Sequence, residues 1–404
     1  MSSRMQKKLS YCIEMRIIIA NKFYYRRGGD CVYTLNLEQQ LKAHGHEVAT
    51  FAMQYAENLP SEWSKYWPSE VRFKPGPGMV EALRRPFGTR EVKRKFLALL
   101  DDFQPDVLHM NNIHSQLSPM MAEMAHERGV RVVWTIHDQK LLCPRYDGLK
   151  NGKTFCKECY DDKRAVVRHR CMKDSRIASW LAYLEAMKWS RERLEASTDV
   201  FVCPSQFMAD RMMEGGFRKE KLRVLCNFID VEKCQKDNYG ERGDYYSYVG
   251  RLSYEKGTKT LIEAANGLPY KLVMIGSGPL ENELRQLAGE NICFTGQLEW
   301  DAIKATVGKA RFNVLPSEVN ENNPLSVIEA KCLGTPVLGA RIGGIPELIE
   351  EKTGMTFETR NVEDLKEKIR AMWNASWDYE KIASEAQAQY GAEEYYKEMM
   401  KIYG

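Results

Sequence analysis

The sequence predicts an α/β protein built from two doubly wound, Rossmann-like domains facing each other across a cleft. Three observations carry this expectation. Short apolar runs of strand length alternate with helix-period segments from one end of the chain to the other, the pattern of parallel sheets with helical crossovers. The series is interrupted by one polar stretch and then starts again. The chain has 404 residues, enough for two or three domains with sizeable cores, and its 44% hydrophobic and 28% charged residues are ordinary globular usage.

The elements follow in order. Residues 16–20 (RIIIA) read as the first strand, 21–28 as a loop, 29–44 as a helix and 47–51 as the second strand. Further buried strands at 106–110, 130–136, 200–204 and 223–226 complete a first domain, 1–228, with a cysteine-rich insertion at about 141–176. Residues 229–243 are polar, with Asp230, Lys233, Gln235, Lys236, Asp237 and Asn238 in close succession, and read as a linker. The second domain, 244–378, runs through strands at 246–250, 271–276, 292–296, 312–316 and 336–340. The stretch 379–404 reads as a helix crossing back to the first domain. Two such domains place the carboxyl ends of both sheets around one cleft, where ligands bind beside helix N-termini.

Composition narrows the function. Apolar runs such as 130–136 fall far short of the ~20 residues a membrane-spanning helix needs. Residues 1–14 contain no apolar core of a secretory leader. Eleven cysteines, an odd count, point to reduced thiols and a cytoplasmic setting. The net charge of +4 conceals an asymmetry: residues 1–228 carry 38 Lys and Arg against 27 Asp and Glu, the remainder 21 against 28. A basic first half fits an anionic partner, such as phospholipid headgroups or a lipid diphosphate, or else is a solvated surface. No nucleic-acid recognition motif accompanies it, so nucleic acid is not an expected partner.

The most informative segment is PSEVNENNPLSVIEAKCLGTPV, residues 316–337. A strand ends at Pro316, a polar loop follows, Pro324 suits the first position of a helix, and Gly334 stops that helix. The backbone amides around Asn322, Asn323, Pro324 and Leu325 are helix-start donors suited to an anionic or hydroxyl-rich ligand. A carboxylate at Glu329 is able to accept two hydroxyl protons, as a vicinal diol requires. In isolation, Glu321 and Glu329 would be read as solvated helix charges.

With its context, this segment resembles the retaining glycosyltransferases of family four, which have the GT-B fold. The match is the Glu-x7-Glu signature from Glu321 to Glu329, the following AKCLGTPV, and GGIPE at 343–347, and it extends over nearly the whole chain. The resemblance implies that Glu321 contacts the donor sugar near its reacting face and that Glu329 binds the ribose. The segment YVGRLSYEKG places Arg251 and Lys256 in the loop after a strand, and the family pattern implies that both hold the donor diphosphate. Two fixed cations stabilise a departing diphosphate without a metal, and no Asp-x-Asp motif marks a divalent-metal site. Gly276, in MIGSGP, is placed by the resemblance at the donor nucleotide. Gly28 and Gly29 are placed against the donor's phosphate and sugar; glycine there allows close backbone approach. The family's Glu after that pair is Asp30 here. His137, ending the run VWTIHD, is implied to hydrogen-bond the transferred sugar.

The resulting expectation is a retaining, metal-independent glycosyltransferase. It would move a sugar from a UDP- or GDP-sugar to a glycan or lipid-linked saccharide acceptor in surface polysaccharide or glycoconjugate assembly. A GT-B sugar-nucleotide epimerase and a non-catalytic nucleotide-sugar or glycan-binding protein are the alternatives. No cofactor is required for catalysis. Cys143, Cys156, Cys159 and Cys171 fall within 29 residues and suit a structural zinc site, with reduced thiols or a disulfide as the other readings. Arg84, Arg85, Arg90, Lys93, Arg94 and Lys95 flank an apolar stripe of Val92, Phe96, Leu99 and Leu100. Either the stripe faces the core and the charges are solvated, or this basic face, near Trp63, Trp67 and Tyr24, makes a peripheral contact with anionic membrane.

Overall fold

Two six-stranded parallel sheets organise the chain. The structure is a computed structural model describing residues 14–71, 78–151 and 154–404. In the first domain the sheet strands are β1 (Arg16–Ala20), β2 (Glu47–Phe51), β3 (Val107–Met110), β4 (Arg131–Thr135), β5 (Val200–Cys203) and β6 (Leu222–Val224). Their spatial order is β2-β1-β3-β4-β5-β6. The second domain contains β7 (Tyr245–Val249), β8 (Lys271–Ile275), β9 (Ile292–Gly296), β10 (Asn313–Leu315), β11 (Val337–Ala340) and β12 (Gly354–Phe357). Its order, β9-β8-β7-β10-β11-β12, is that of the dinucleotide-binding fold, with the reversal of direction between β7 and β10.

Helical crossovers cover both faces, which is why β1 reads as a continuous apolar run: Ile17, Ile18 and Ile19 are all buried, on alternating sides. The loops leaving β1, β3 and β4 in the first domain, and β7 and β10 in the second, converge on the cleft.

Several elements differ from the sequence expectation. β12 was not anticipated: it has four residues, two only partly buried, and it pairs solely with β11 at the sheet edge. Within 229–243, Val231–Cys234 forms a 3-10 turn, and Cys234 is fully buried in the second domain's core. The terminal segment is two helices, Tyr379–Tyr390 and Ala392–Tyr403, broken at Gly391, whose backbone is extended and bridges to Ile229. The first stays on the second domain. The second lies on the first domain, where Tyr395, Tyr396, Met399, Ile402 and Tyr403 join the core beneath β1. Polar contacts fix it there: His46 Nε2 to Tyr396 Oη at 2.8 Å, His109 Nδ1 to Tyr403 Oη at 2.5 Å, and Arg131 Nε donating to Ile402 O at 2.8 Å.

The basic segment is also resolved. Val92, Phe96, Leu99 and Leu100 are buried, so the stripe faces the core. Arg85 is not solvated; it is fully buried and pairs with Glu91 at 2.9 Å. Trp67 and Tyr24 are buried too, the indole donating to Thr50 O at 2.7 Å and the phenol to Glu38 at 2.8 Å. Of the three aromatics expected here to meet lipid, Tyr24 and Trp67 are therefore interior, and Trp63 is half-buried against the same core.

Candidate active site

The site is built by loops that only glycine allows to meet. Gly257 (φ +62°) follows the 3-10 turn Tyr254–Lys256, and a Cβ there would sit 1.9 Å from Pro316 O. The loop after β7 is thus pressed onto the loop leaving β10. As a result Lys256 Nζ lies 2.5 Å from Glu321 Oε1, which also accepts from Ser317 Oγ at 2.8 Å. From the other side, Gly344 N donates to Glu321 O at 2.7 Å, and a Cβ at Gly344 would come within 1.9 Å of Asn322 O. The glutamate's backbone and carboxylate are both held.

A cavity of about 390 Å3 lies between the domains, lined by Gly29, Asp30, Asn112 and His137 from the first and by Lys256, Glu321, Asn322, Asn323, Pro324 and Leu325 from the second. Gly29 opens the helix Gly29–Ala43 and faces Leu325 across the cleft, 3.8 Å from where its Cβ would stand. Asn112 Nδ2 donates to Asp30 Oδ2 at 3.1 Å, and Lys22 Nζ donates to Asn112 Oδ1 at 3.0 Å. A second cavity of about 470 Å3 shares Asp30 and Asn112 and extends over Lys22, Arg27, Gly28, Lys140 and Tyr146 of the first domain.

His137 Nε2 lies 3.0 Å from Asn111 Oδ1, and Tyr33 packs edge-on against the ring at 4.9 Å. Burial lowers its pKa to about 4, against the opposing pull of Asp30. The imidazole is neutral at physiological pH. With Oδ1 turned toward the ring, Nε2 carries the proton and Nδ1 is left as the acceptor.

Other expected residues are placed differently. Pro324, expected as the first helical residue, instead stands with extended backbone one residue before the helix Leu325–Cys332. The side chains of Asn322 and Asn323 are spent on tying the domains together. Asn322 Nδ2 donates to Ile136 O at 2.8 Å and its Oδ1 accepts from Ser205 Oγ at 2.7 Å, while Asn323 Oδ1 accepts from Asn227 N at 3.0 Å. The first-turn amides of Leu325 and Ser326 remain without an intrahelical partner. Glu329, one turn on, does not line the cavity. Burial raises its pKa to about 7, and its carboxylate has no hydrogen-bond partner among the described residues.

Arg251 is exposed and does not line the cavity either. Gly276 (φ +131°) has a structural part: a Cβ there would stand 2.0 Å from Gly250 O, so glycine lets the loops after β7 and β8 touch. Residues not singled out from sequence, Asn112 and Lys22 above all, join the site; the signal was a polar pair, Asn111-Asn112, at the end of a buried strand.

The cysteine-rich insertion folds as a small satellite. Cys159 and Cys171 pack with Ala165, Val166 and Ala182. The neighbouring Cys159 thiol holds the Cys143 thiol below the usual thiol range, aided by the backbone amides of Arg145 and Gly148. Among the described residues, no group of three or more His, Cys, Asp or Glu side chains is arranged to hold a metal ion, and no cysteine is in a disulfide. The expected four-cysteine zinc cluster is thus not formed in this structure.

One further contact joins the domains. The Glu347 carboxylate accepts from the amides of Gln206 (2.7 Å) and Phe207 (2.5 Å) at the start of helix Gln206–Glu214. Glu347→Ala strips two helix-start donors of their acceptor and is expected to cost about 1–2 kcal/mol, lowering the melting temperature by roughly 2–6 °C in a thermal scan. An unchanged transition would show this tie to be idle.

Two doubly wound lobes closing on an interlobe cavity, with a lysine–carboxylate pair on one wall and a histidine on the other, define the GT-B class of protein. The chain belongs to Glycosyltransferase Family 4: that family's sequence profile matches residues 27–233, and the profile of Glycosyl transferases group 1 matches 232–389. The sulfoquinovosyl transferase SQD2 of Arabidopsis thaliana is 35% identical over 213 residues, 48% of this chain and 41% of that protein. The chain spans half or less of the length of the first curated relatives it matches. Among solved structures, a sucrose-phosphate synthase from Thermosynechococcus elongatus superposes with a TM-score of 0.70 at 18% identity, over 96% of this chain and 98% of that one. Anabaena HepE in complex with UDP superposes with a TM-score of 0.66 at 14% identity, over 96% and 99%. These structures share the fold. No helix among the described residues is long and apolar enough to cross a membrane.

Proposed function

We propose that this protein is a retaining glycosyltransferase that moves a sugar from a nucleotide-sugar donor, a UDP- or GDP-sugar, to a glycan or lipid-linked saccharide. The observation that carries the reading is the Lys256–Glu321 pair on the wall of a cavity whose opposite side is Gly29 and His137. A relative that transfers a sulfoquinovosyl group and a fold neighbour that binds UDP support the donor class.

Cleaving a sugar from a nucleoside diphosphate leaves negative charge growing on the leaving oxygens. Lys256 stands where a fixed cation stabilises that charge more in the transition state than in the ground state. Arg251, exposed on the same loop, is the second cation as the donor binds. In this reading cationic side chains do the work a divalent ion does in other transferases. Glu321, held by Lys256, Ser317 and Gly344, orients the sugar and is not a covalent nucleophile. Neutral His137 accepts a sugar hydroxyl at Nδ1. The departing diphosphate takes the acceptor's proton on the face it leaves, which retains the anomeric configuration. Glu329, behind the helix start, receives the ribose hydroxyls. The larger cavity over Lys22, Arg27 and Lys140 receives the acceptor, and surface polysaccharide or glycoconjugate assembly is the setting.

Thermal stabilisation by UDP-, GDP- and ADP-sugars, followed by transfer assays with lipid-linked acceptors and NMR of the new linkage, tests this reading. An inverted linkage would remove the front-face account. Conversion of the donor without an acceptor would favour an epimerase, and tight donor binding with no turnover a binding protein.

A further inference from the structure

We infer that the outer face of helix Arg176–Lys188, together with helix Met79–Arg84, is a docking surface for an anionic lipid bilayer. Soluble helices normally bury their apolar stripe. Here Ile177, Trp180, Leu184 and Met187, spaced by three, four and three residues, are 76%, 52%, 47% and 52% exposed on one stripe. The opposite side, through Ser179, Ala182 and Glu185, is the buried one. Lys188 Nζ donates to Phe87 O at 2.6 Å and Trp189 Nε1 to Pro86 O at 2.8 Å. These bonds tie the helix to the turn following Met79–Arg84, whose Met79, Val80 and Leu83 are also exposed. Two linked helices thus present seven apolar side chains to solvent, an unusual outlay for a soluble surface.

Charge selects the occupant. Arg84, Arg170, Lys173 and Arg176 are exposed around these helices, and none has an ion-pair partner among the described residues. Of the nearby acids, Glu81 and Glu185 are engaged by Arg85 and Lys140, which leaves Asp174. An apolar stripe rimmed by unpaired cations complements acyl chains beneath anionic headgroups. A second copy of the chain, docked face to face about a two-fold axis, would set the same cations against one another.

The placement also suits the proposed acceptor, and this part rests on that reading. Inside the helix, Glu185 accepts from Ser115 at 3.1 Å and from Lys140 at 2.8 Å, and both line the 470 Å3 cavity, as does Met172 just before the helix. A bilayer under the helix brings a lipid-borne headgroup to that cavity without the chain crossing the membrane.

The test is co-sedimentation of the full chain with vesicles of phosphatidylcholine alone or mixed equally with phosphatidylglycerol, at low and high salt. Binding to the anionic vesicles that falls with salt is expected. Ile177→Glu/Trp180→Glu/Leu184→Glu should weaken it by about tenfold or more, and Arg170→Gln/Lys173→Gln/Arg176→Gln should remove the preference for phosphatidylglycerol. The variants' thermal transition and nucleotide-sugar stabilisation should stay as in the wild type; Trp180→Glu alone serves if the triple variant fails to fold. No binding of the wild type to anionic vesicles, equal binding of the apolar variants, or a dimer in light scattering that the triple variant dissolves would each overturn the inference. Vesicle binding with no response to any nucleotide sugar would instead strike the enzymatic reading and leave the docking surface standing.

Discussion

Lys256→Ala is expected to lower the rate of sugar transfer at saturating donor by about 100- to 1,000-fold, the cost of removing one preorganised donor from developing charge, about 3–4 kcal/mol. The physical ground is the 2.5 Å contact of Lys256 with Glu321 on the cavity wall, in a loop that Gly257 presses against Pro316. The loss should fall on kcat more than on donor affinity, because charge on the leaving oxygens grows as the bond breaks. Lys256→Arg should recover part of the rate, since it restores the cation with a different reach. Initial rates across donor concentrations decide the matter. Full turnover by the alanine variant would end the leaving-group account.

The second prediction concerns Glu329. Burial without a partner raises its carboxyl to about 7, whereas in the unfolded chain it ionises near 4.5. Between those values the folded state holds a proton the unfolded state has lost, so the free protein loses stability as pH rises from about 4.5 to 7. The penalty at pH 8 is on the order of 2–3 kcal/mol. Glu329→Gln should therefore melt several degrees higher than the wild type at pH 8 and no higher at pH 4. Its donor affinity should move the other way: an ionised carboxylate accepting two ribose hydroxyls is worth at least about tenfold in Kd. Wild-type donor binding should tighten from pH 6 to pH 8, and the glutamine variant should lack that slope. Thermal scans and donor titrations at three pH values check both halves. A variant that binds donor as the wild type does would separate Glu329 from the ligand.

How much of this was legible beforehand depends on the range of the interaction concerned. Periodicity is local, so the strands of both sheets were readable from apolar runs such as 16–20 and 130–136. β12 escaped because four edge residues, two of them only half-buried, carry almost no pattern. The loop chemistry at 316–337 was readable as well, since a strand end, a polar loop and a helix stop lie within one short segment. Burial was not. Tyr24 and Trp67 look like any surface aromatic pair until β2 and the helix Gly29–Ala43 enclose them. Helix Arg176–Lys188 is apolar around much of its circumference, so its sequence does not say which stripe the core leaves uncovered.

The chain itself determined two parallel-sheet domains, the carboxylates at 321 and 329, and cations at 251 and 256. Those properties come from residue type and near-neighbour spacing. Only tertiary structure decided that Lys256 reaches Glu321 while Arg251 stays outside the cavity, and that Asn322, Asn323 and Glu347 spend their polar atoms on the opposite domain. It likewise decided that the terminal stretch breaks at Gly391 to lie on both domains. Such contacts join residues tens to hundreds of positions apart, and their geometry exists only once the two sheets are packed and the glycine-lined loops have closed.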